Sequence, residues 1–232
     1  MSTTKLAWVS VLEKQLEENP KCIVFALSTL SPENKPRVRH VNYRGLTPSN
    51  LILTSTDLRW SKPVHLNHSS TIEIAWWLRD TNTQFRITGQ AFIIPPSAGS
   101  EGWDKVIEGL HLTGKEEGKK DWWCKKKDEL WSVLSGHLRA SFGRPIPGRK
   151  LEEVDDSGEW PETIPAKSRQ DDVKEQKLIE KAWSNFAIIA IRPEAVEFLE
   201  LNPIPNRRTQ WAWKKTSDGL EIGSWEEVKV TF

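Results

Sequence analysis

Apolar positions change their period several times along this chain, and those changes divide it. Between residues 3 and 18, Val9, Leu12 and Leu16 recur at helical spacing, acids gather at the end and Asn19-Pro20 supplies a stop, so a helix is predicted there. Five short β-rich runs follow: CIVFALSTL (22–30), PRVRHVNYR (36–44), NLILTS (50–55), TIEIAWWLR (71–79) and TQFRITGQAFII (83–94). Turn residues such as SPENK, GLTPS and DTN separate them. Closely connected strands of this kind predict an antiparallel meander closing toward a barrel.

From 97 to 142 the helical period returns. SEGWDKVIEGLHL reads as one helix and DELWSVLSGHLRASF as another, with Leu130, Leu134 and Leu138 four apart; TGKEEGKKDWWCKKK between them reads as a charged loop or helix extension. Residues 143–170 are rich in Pro, Gly and charge, too long for a routine connection, and read as a functional arm or a linker. A short helix, DVKEQKLIEKAW, leads into four strand-like runs, FAIIAIRP, AVEFLELN, RRTQWAWKKT and LEIGSWEEVKV. Four short strands alone bury little, so they are expected to rejoin the first sheet. The expected fold is mostly β, antiparallel, with peripheral helices (α+β). It forms one domain over 1–232, with core strands at about 20–95 and 185–232 around a helical and irregular insertion at about 97–184.

Composition narrows the functional classes. The 232 residues carry a net charge of +1, which gives no strong field for nucleic acid or an anionic membrane. Cys22 and Cys124 stand alone with no paired-ligand spacing, so neither a disulfide scaffold nor a structural zinc site is expected. No apolar run approaches bilayer length and the first residues do not read as a signal peptide, so a soluble, cytoplasmic protein is expected. Nucleotide-loop and hydrolase motifs are absent, the five histidines are scattered, and no metal site is expected. Thirteen tryptophans stand against one tyrosine; some must be core, and indole also stacks on flat ligands.

Three short stretches carry candidate chemistry. In TDLRWSKPVHLN (56–67), Pro63 suits a first helical turn and Ser61 suits an N-cap; a helix start beside Thr56, Arg59 and Lys62 is chemically suited to an anion, while a solvated strand-to-helix loop is the plain alternative. In PRVRHVNYRG, Arg37, Arg39 and Arg44 crowd one strand; alternation puts Arg37 and Arg39 on one face and Arg44 on the other unless Gly45 marks a turn that re-aims it. A cationic edge strand that discourages aggregation is the alternative for these arginines. In TNTQFRITGQ, Gln84 opens a strand and presents both a donor and an acceptor.

The order RHVNYR, strand, TDLRWSK, strand, TQFRITG resembles the pyridoxamine 5'-phosphate oxidase-like family of FMN-binding split β-barrels. It is most similar to a branch with Arg-Gly after the second strand and a TDxRSxK-type loop. Asn185-Phe186, Glu194, Glu197-Phe198 and a terminal WEEVKV strand extend the likeness. The resemblance implies a homodimer with FMN at its interface. Arg39, Ser61 and Lys62 would hold the FMN phosphate, Thr56 would hydrogen-bond nearby, and His40, Val41, Asn42 and Tyr43 would line the ribityl chain and ring. Arg44 falls where family oxidases usually carry a lysine near ring and substrate, and Gln84 falls where a glutamine meets the ring edge. Arg139 and Arg207 are further substrate candidates. The late Arg-x-His-Asp-Arg run of true pyridoxamine-phosphate oxidases is here NRRTQWAW, with Arg207 followed by Thr209, Gln210 and Trp211, and no histidine follows His137. The implied function is an FMN-dependent oxidoreductase of small molecules, with vitamin B6 phosphates poor substrates. A non-catalytic flavin or haem (tetrapyrrole) binder on the same barrel, or an oxidase with rearranged B6 recognition, are the other readings.

Overall fold

A computed structural model describes every residue except 1–4, 96–101, 113, 115, 151, 153, 155–159, 169–171, 216–222 and 232. Helix α1 (Ala7–Glu18) buries Trp8, Val9 and Leu12, the stripe its periodicity marks, against the barrel interior. It stops where the buried Asn19 side chain donates to the Gln15 carbonyl and accepts from the Asp80 and Thr81 amides, so that one amide group ties the helix end to the turn after the fourth strand.

Strands β1 (Val24–Leu30), β2 (Pro36–Asn42), β3 (Ile52–Asp57), β4 (Thr71–Leu78) and β5 (Thr83–Ile93) match the expected runs closely, with the short helix α2 (Ser61–His68) between β3 and β4. The insertion carries α3 (Trp103–Leu110), α4 (Lys120–Val133), α5 (Gly136–Gly143) and α6 (Val173–Asn185). Strands β6 (Phe186–Glu200), β7 (Arg207–Lys215) and β8 (Gly223–Val230) complete an antiparallel eight-stranded sheet in the order β2-β1-β4-β5-β6-β7-β8, with β3 paired to β6. This is the mostly β, split-barrel fold that the sequence predicts. Among the described residues no helix is long and apolar enough to cross a membrane.

Three details differ from the sequence-based expectations. The chain is not a simple meander, because β3 leaves its sequence neighbours and pairs along the first half of β6. FAIIAIRP and AVEFLELN are one fifteen-residue strand, since Pro193 sits at the bulge where the β5–β6 register shifts beside Gly89. The predicted helix DELWSVLSGHLRASF is two helices: Leu134 and Ser135 are extended, and the Ser135 hydroxyl accepts from the Leu138 amide to cap α5.

Strand β6 is buried on both faces, and this sets the layering. Ile189 and Ile191 belong to the barrel core with Phe25, Trp76 and Phe85, while Phe186, Ile188 and Ala190 meet Trp123, Trp131 and Phe142 of the insertion. The insertion helices therefore pack on the outer side of β3 and β6. Trp76 is 0% exposed and donates to the Cys22 carbonyl at 2.7 Å, so it is one of the tryptophans that fill this core.

A Cβ built on Gly89 would stand 2.1 Å from the Arg192 carbonyl oxygen, and only glycine allows β5 and β6 to approach there. Gly89→Ala is expected to lower unfolding free energy by about 1–3 kcal/mol, the range for overpacking. An unchanged urea midpoint would contradict that close approach.

Candidate functional site

A cavity of about 410 Å³ opens where β2, the end of β3 and the start of α2 face the insertion. From β2 and its extension come His40, Val41, Asn42 and Arg44; from β3 come Ser55, Thr56 and Asp57; Trp60 and Lys62 follow. Leu138, Ser141, Phe142, Arg144 and the arm through Arg149, Val154 and Trp160 form the opposite wall.

The pleat explains the β2 contribution. Val41 turns its side chain into the barrel core, so the even positions His40 and Asn42 face outward. Past the strand, Gly45 adopts φ +105° and its carbonyl accepts from the Leu53 amide, a turn that keeps Arg44 beside β3. Arg44 is half-buried, its Nε has no hydrogen-bond partner, and burial holds its guanidinium below the usual arginine range. A buried donor without an acceptor is costly, so a ligand acceptor at this point would be stabilising.

Lys62 is the second cation of the cavity. Its side chain is 6% exposed, stands 5.2 Å from the Trp60 ring centroid, and makes no hydrogen bond or ion pair among the described residues. Desolvation, then the positive charge of Arg39, pulls its pKa down to about 8, against an opposing pull from Asp57. Arg39 itself lies on the other side of β2 from His40. It donates to the Leu27 carbonyl at 3.2 Å and the Thr29 hydroxyl at 2.7 Å, and its Nη2 is 3.4 Å from His65 Nδ1. It supports the site from behind and does not line the cavity.

The strand-to-helix turn is held by Arg59. Its Nε and backbone amide donate to Asp57 Oδ1 at 2.9 and 2.8 Å, and Nη2 donates to Oδ2 at 2.5 Å. The same guanidinium reaches across to the carbonyls of Arg144 at 2.6 Å and Phe142 at 2.9 Å. Arg59 thus ties α5 and the start of the arm to the turn carrying Lys62, and is not free to meet an anion.

Of the residues singled out in the sequence, His40, Val41, Asn42, Arg44, Thr56 and Lys62 come together in this cavity. The others lie elsewhere. Ser61 is an exposed first-turn residue, and the helix cap position belongs to Trp60. The Tyr43 ring lies 5.1 Å from Trp76 and burial raises its hydroxyl to about 12. Gln84 is on β5, three strands across the sheet from β2, roughly 14 Å at sheet spacing. Arg139 is buried and donates to the carbonyls of Ile164, Trp131 and Leu134, which makes it a brace within the insertion. Arg207 is exposed at the start of β7, paired in register with Glu200. Trp211 occupies the barrel core and donates to Glu227, so it does not narrow this cavity. The sequence reading missed Trp60, Ser141, Phe142, Arg144, Arg149 and Trp160; the one available signal was the length of the irregular 143–170 segment.

Residues 5–95 match the family described as pyridoxamine 5'-phosphate oxidase, FMN-binding domain. The match takes in the first helix and the first five strands, and the insertion and the last three strands lie outside it. The chain's curated relatives are distant but match end to end. A pyridoxine/pyridoxamine 5'-phosphate oxidase 2 of Arabidopsis thaliana is 24% identical over 98% of this chain and 99% of its own. An uncharacterised protein of Saccharomyces cerevisiae is also 24% identical, over 99% of each. Among solved structures, a pyridoxamine 5'-phosphate oxidase-related, FMN-binding protein of Nostoc punctiforme superposes with TM-score 0.72 at 21% identity, covering 99% of this chain and 100% of that one. PhzG of Burkholderia lata, solved with tetrahydrophenazine-1-carboxylic acid, gives 0.58 at 13% identity over 96% and 91%. At these identities the superpositions establish the split-barrel fold.

Removing Arg59 would leave Asp57 buried with an uncompensated charge. Arg59→Met should cost about 3 kcal/mol in chemical denaturation, and Arg59→Lys should recover only part of it, because an ammonium lacks the fork. A loss no larger than that of a typical exposed ion pair would contradict the clamp described.

Proposed function

We propose that this protein binds FMN in the 410 Å³ cavity and works as a flavin-dependent oxidoreductase on a small molecule. The observation that carries the reading is a pair of cations on one cavity of small-molecule size: Lys62, buried and without a hydrogen bond or ion pair among the described residues, and half-buried Arg44, whose Nε has no partner. Two such groups stay buried at a cost that an anionic ligand offsets, and a phosphate accepts from both. The donors present fit FMN. Lys62, backed by the field of Arg39, would take the phosphate; Thr56 and Ser55 offer hydroxyls beside it. His40, Asn42 and Arg44 would face the ribityl chain and ring, with Trp60 and Phe142 supplying apolar wall. Bound FMN would supply hydride and electron transfer, while the chain binds, orients and shields it. The Arg59 clamp would hold the insertion closed over one side of the ligand and limit entry of water.

Vitamin B6 phosphates are not the substrates proposed. Gln210 donates to Glu197 and Trp211 to Glu227, so the residues at the family's recognition run are committed to the sheet, and no imidazole is available there.

Assembly belongs to the same proposal. The outer face of β2-β1-β4 exposes Val38 by 72% and Trp77 by 42%, beside Val24. We propose a homodimer built on this face, the arrangement in which Gln84, half-buried on it, would reach a ring held by the other copy. Mass measurement in solution should give about twice the chain mass; a monomer that retains FMN across concentrations would refute it.

The phosphate assignment predicts that Lys62→Ala weakens FMN by about ten- to a hundredfold, the worth of one charged hydrogen bond, and riboflavin much less. Proton linkage gives a second readout. Lys62 is an ammonium below about 8, and a bound phosphate raises that value, so FMN affinity should be highest at neutral pH and fall as pH rises through 8 toward 9. Riboflavin affinity should stay level over that range, and Lys62→Ala should flatten the FMN curve. Equal losses for FMN and riboflavin in the variant would sink the assignment.

A further inference from the structure

A second cavity, of about 170 Å³, lies on the insertion side of the sheet and shares no lining residue with the first. Its floor is Ile94 and Ile188, and three indoles, Trp103, Trp123 and Trp183, form its walls. Trp123 is buried and held in orientation, its indole N–H donating to the Glu117 carbonyl at 2.8 Å. The polar groups at the cavity are Lys120, Lys127, Asp128 and the exposed Cys124 thiol.

Lys127 decides the chemistry. Its Nζ stands 4.3 Å from the Trp183 ring centroid and 3.3 Å from the Trp183 carbonyl, capping the end of α6. It forms no ion pair among the described residues, and burial lowers its pKa to about 8. The neighbouring Asp128 therefore does not neutralise it by contact. A cationic ligand is disfavoured, because Lys127 already occupies the electron-rich face of Trp183. A neutral apolar ligand would fill the space and leave the ammonium further desolvated. An anion compensates it, and the sequence KKDWWCKKK along α4 gives the surroundings a positive bias.

Size then limits the ligand. A dry apolar cavity of about 150 Å³ takes a benzene ring, so about 170 Å³ holds one ring with a small substituent. We infer that this cavity is a binding site for a monocyclic aromatic carboxylate, with the ring against the indoles and the carboxylate on Lys127. The site stands independently of the flavin reading, since it uses none of the same residues.

Cys124 provides the test. In the protein of 232 residues, alkylation of Cys124 and Cys22 by iodoacetamide would be followed by mass spectrometry with increasing benzoate, with and without saturating FMN. Benzoate is expected to slow modification of Cys124, to leave Cys22 unchanged, and to act alike in both conditions. Benzyl alcohol, the same ring without the charge, should need roughly tenfold more for the same protection, the loss of one charge-assisted hydrogen bond. Lys127→Met and Lys127→Gln should lose the advantage of benzoate over benzyl alcohol. Failure of benzoate to protect Cys124, equal protection by the two ligands in the unaltered protein, or competition with FMN would each overturn the inference. The comparison of the two ligands needs no variant, so a misfolded substitution leaves it decisive.

Discussion

The fork between Arg59 and the structure around it is the constraint on which the site depends. One guanidinium satisfies both oxygens of the buried Asp57 and two main-chain carbonyls, Phe142 and Arg144, from a helix eighty residues away in the chain. Asn185 donates to the same Phe142 carbonyl at 2.8 Å, so α5, the β3 turn and the start of β6 meet at one point. A buried acid without this partner would be destabilising, and the Arg144 carbonyl would lose its donor. The clamp thereby fixes the distance between the two walls of the cavity. It also explains why the local cations are not equivalent: Arg59 takes both oxygens of Asp57, while Lys62, three residues on, feels that acid only at a distance and makes no ion pair among the described residues.

The arrangement of the free cations follows from strand geometry. Arg39 and Lys62 approach each other from behind the cavity, and their repulsion lowers the Lys62 pKa after burial has already done so. Arg44 arrives from the other side of β2 through the turn at Gly45. Asp57, the acid nearest to them, is held by Arg59, and positive groups gathered in this way are poor for stability and good for holding an anion, a common compromise at binding sites.

Much of this was legible in the sequence, and the limits have physical causes. Strand runs and the helix at the start stand out because their periods differ, and the even positions of RHVNYR point outward by simple alternation. Six candidate residues accordingly line the cavity. Long-range pairing is not encoded in a local period, so β3 crossing to β6 was invisible, as was the continuity of β6 through Pro193. Charge type does not reveal commitment either: Arg59 and Arg139 read as ligand cations and serve as braces to carbonyls, because the carbonyls they meet come from distant turns. The break at Ser135 was overlooked because leucine spacing outweighed a Ser-Gly cap signal. Gln84 and Trp77 are paired in register on the sheet face that carries Asn42, three and two strands along from β2, a lateral distance that no local pattern reveals.

The central claim is that an FMN phosphate completes this cation-lined cavity. The most direct test is the absorption spectrum of the protein as purified, with the released chromophore identified by mass spectrometry. The account predicts a flavin spectrum and FMN as the released molecule, in an amount proportional to the chain. A porphyrin spectrum, or a protein that remains colourless and takes up no FMN when it is supplied, would contradict it.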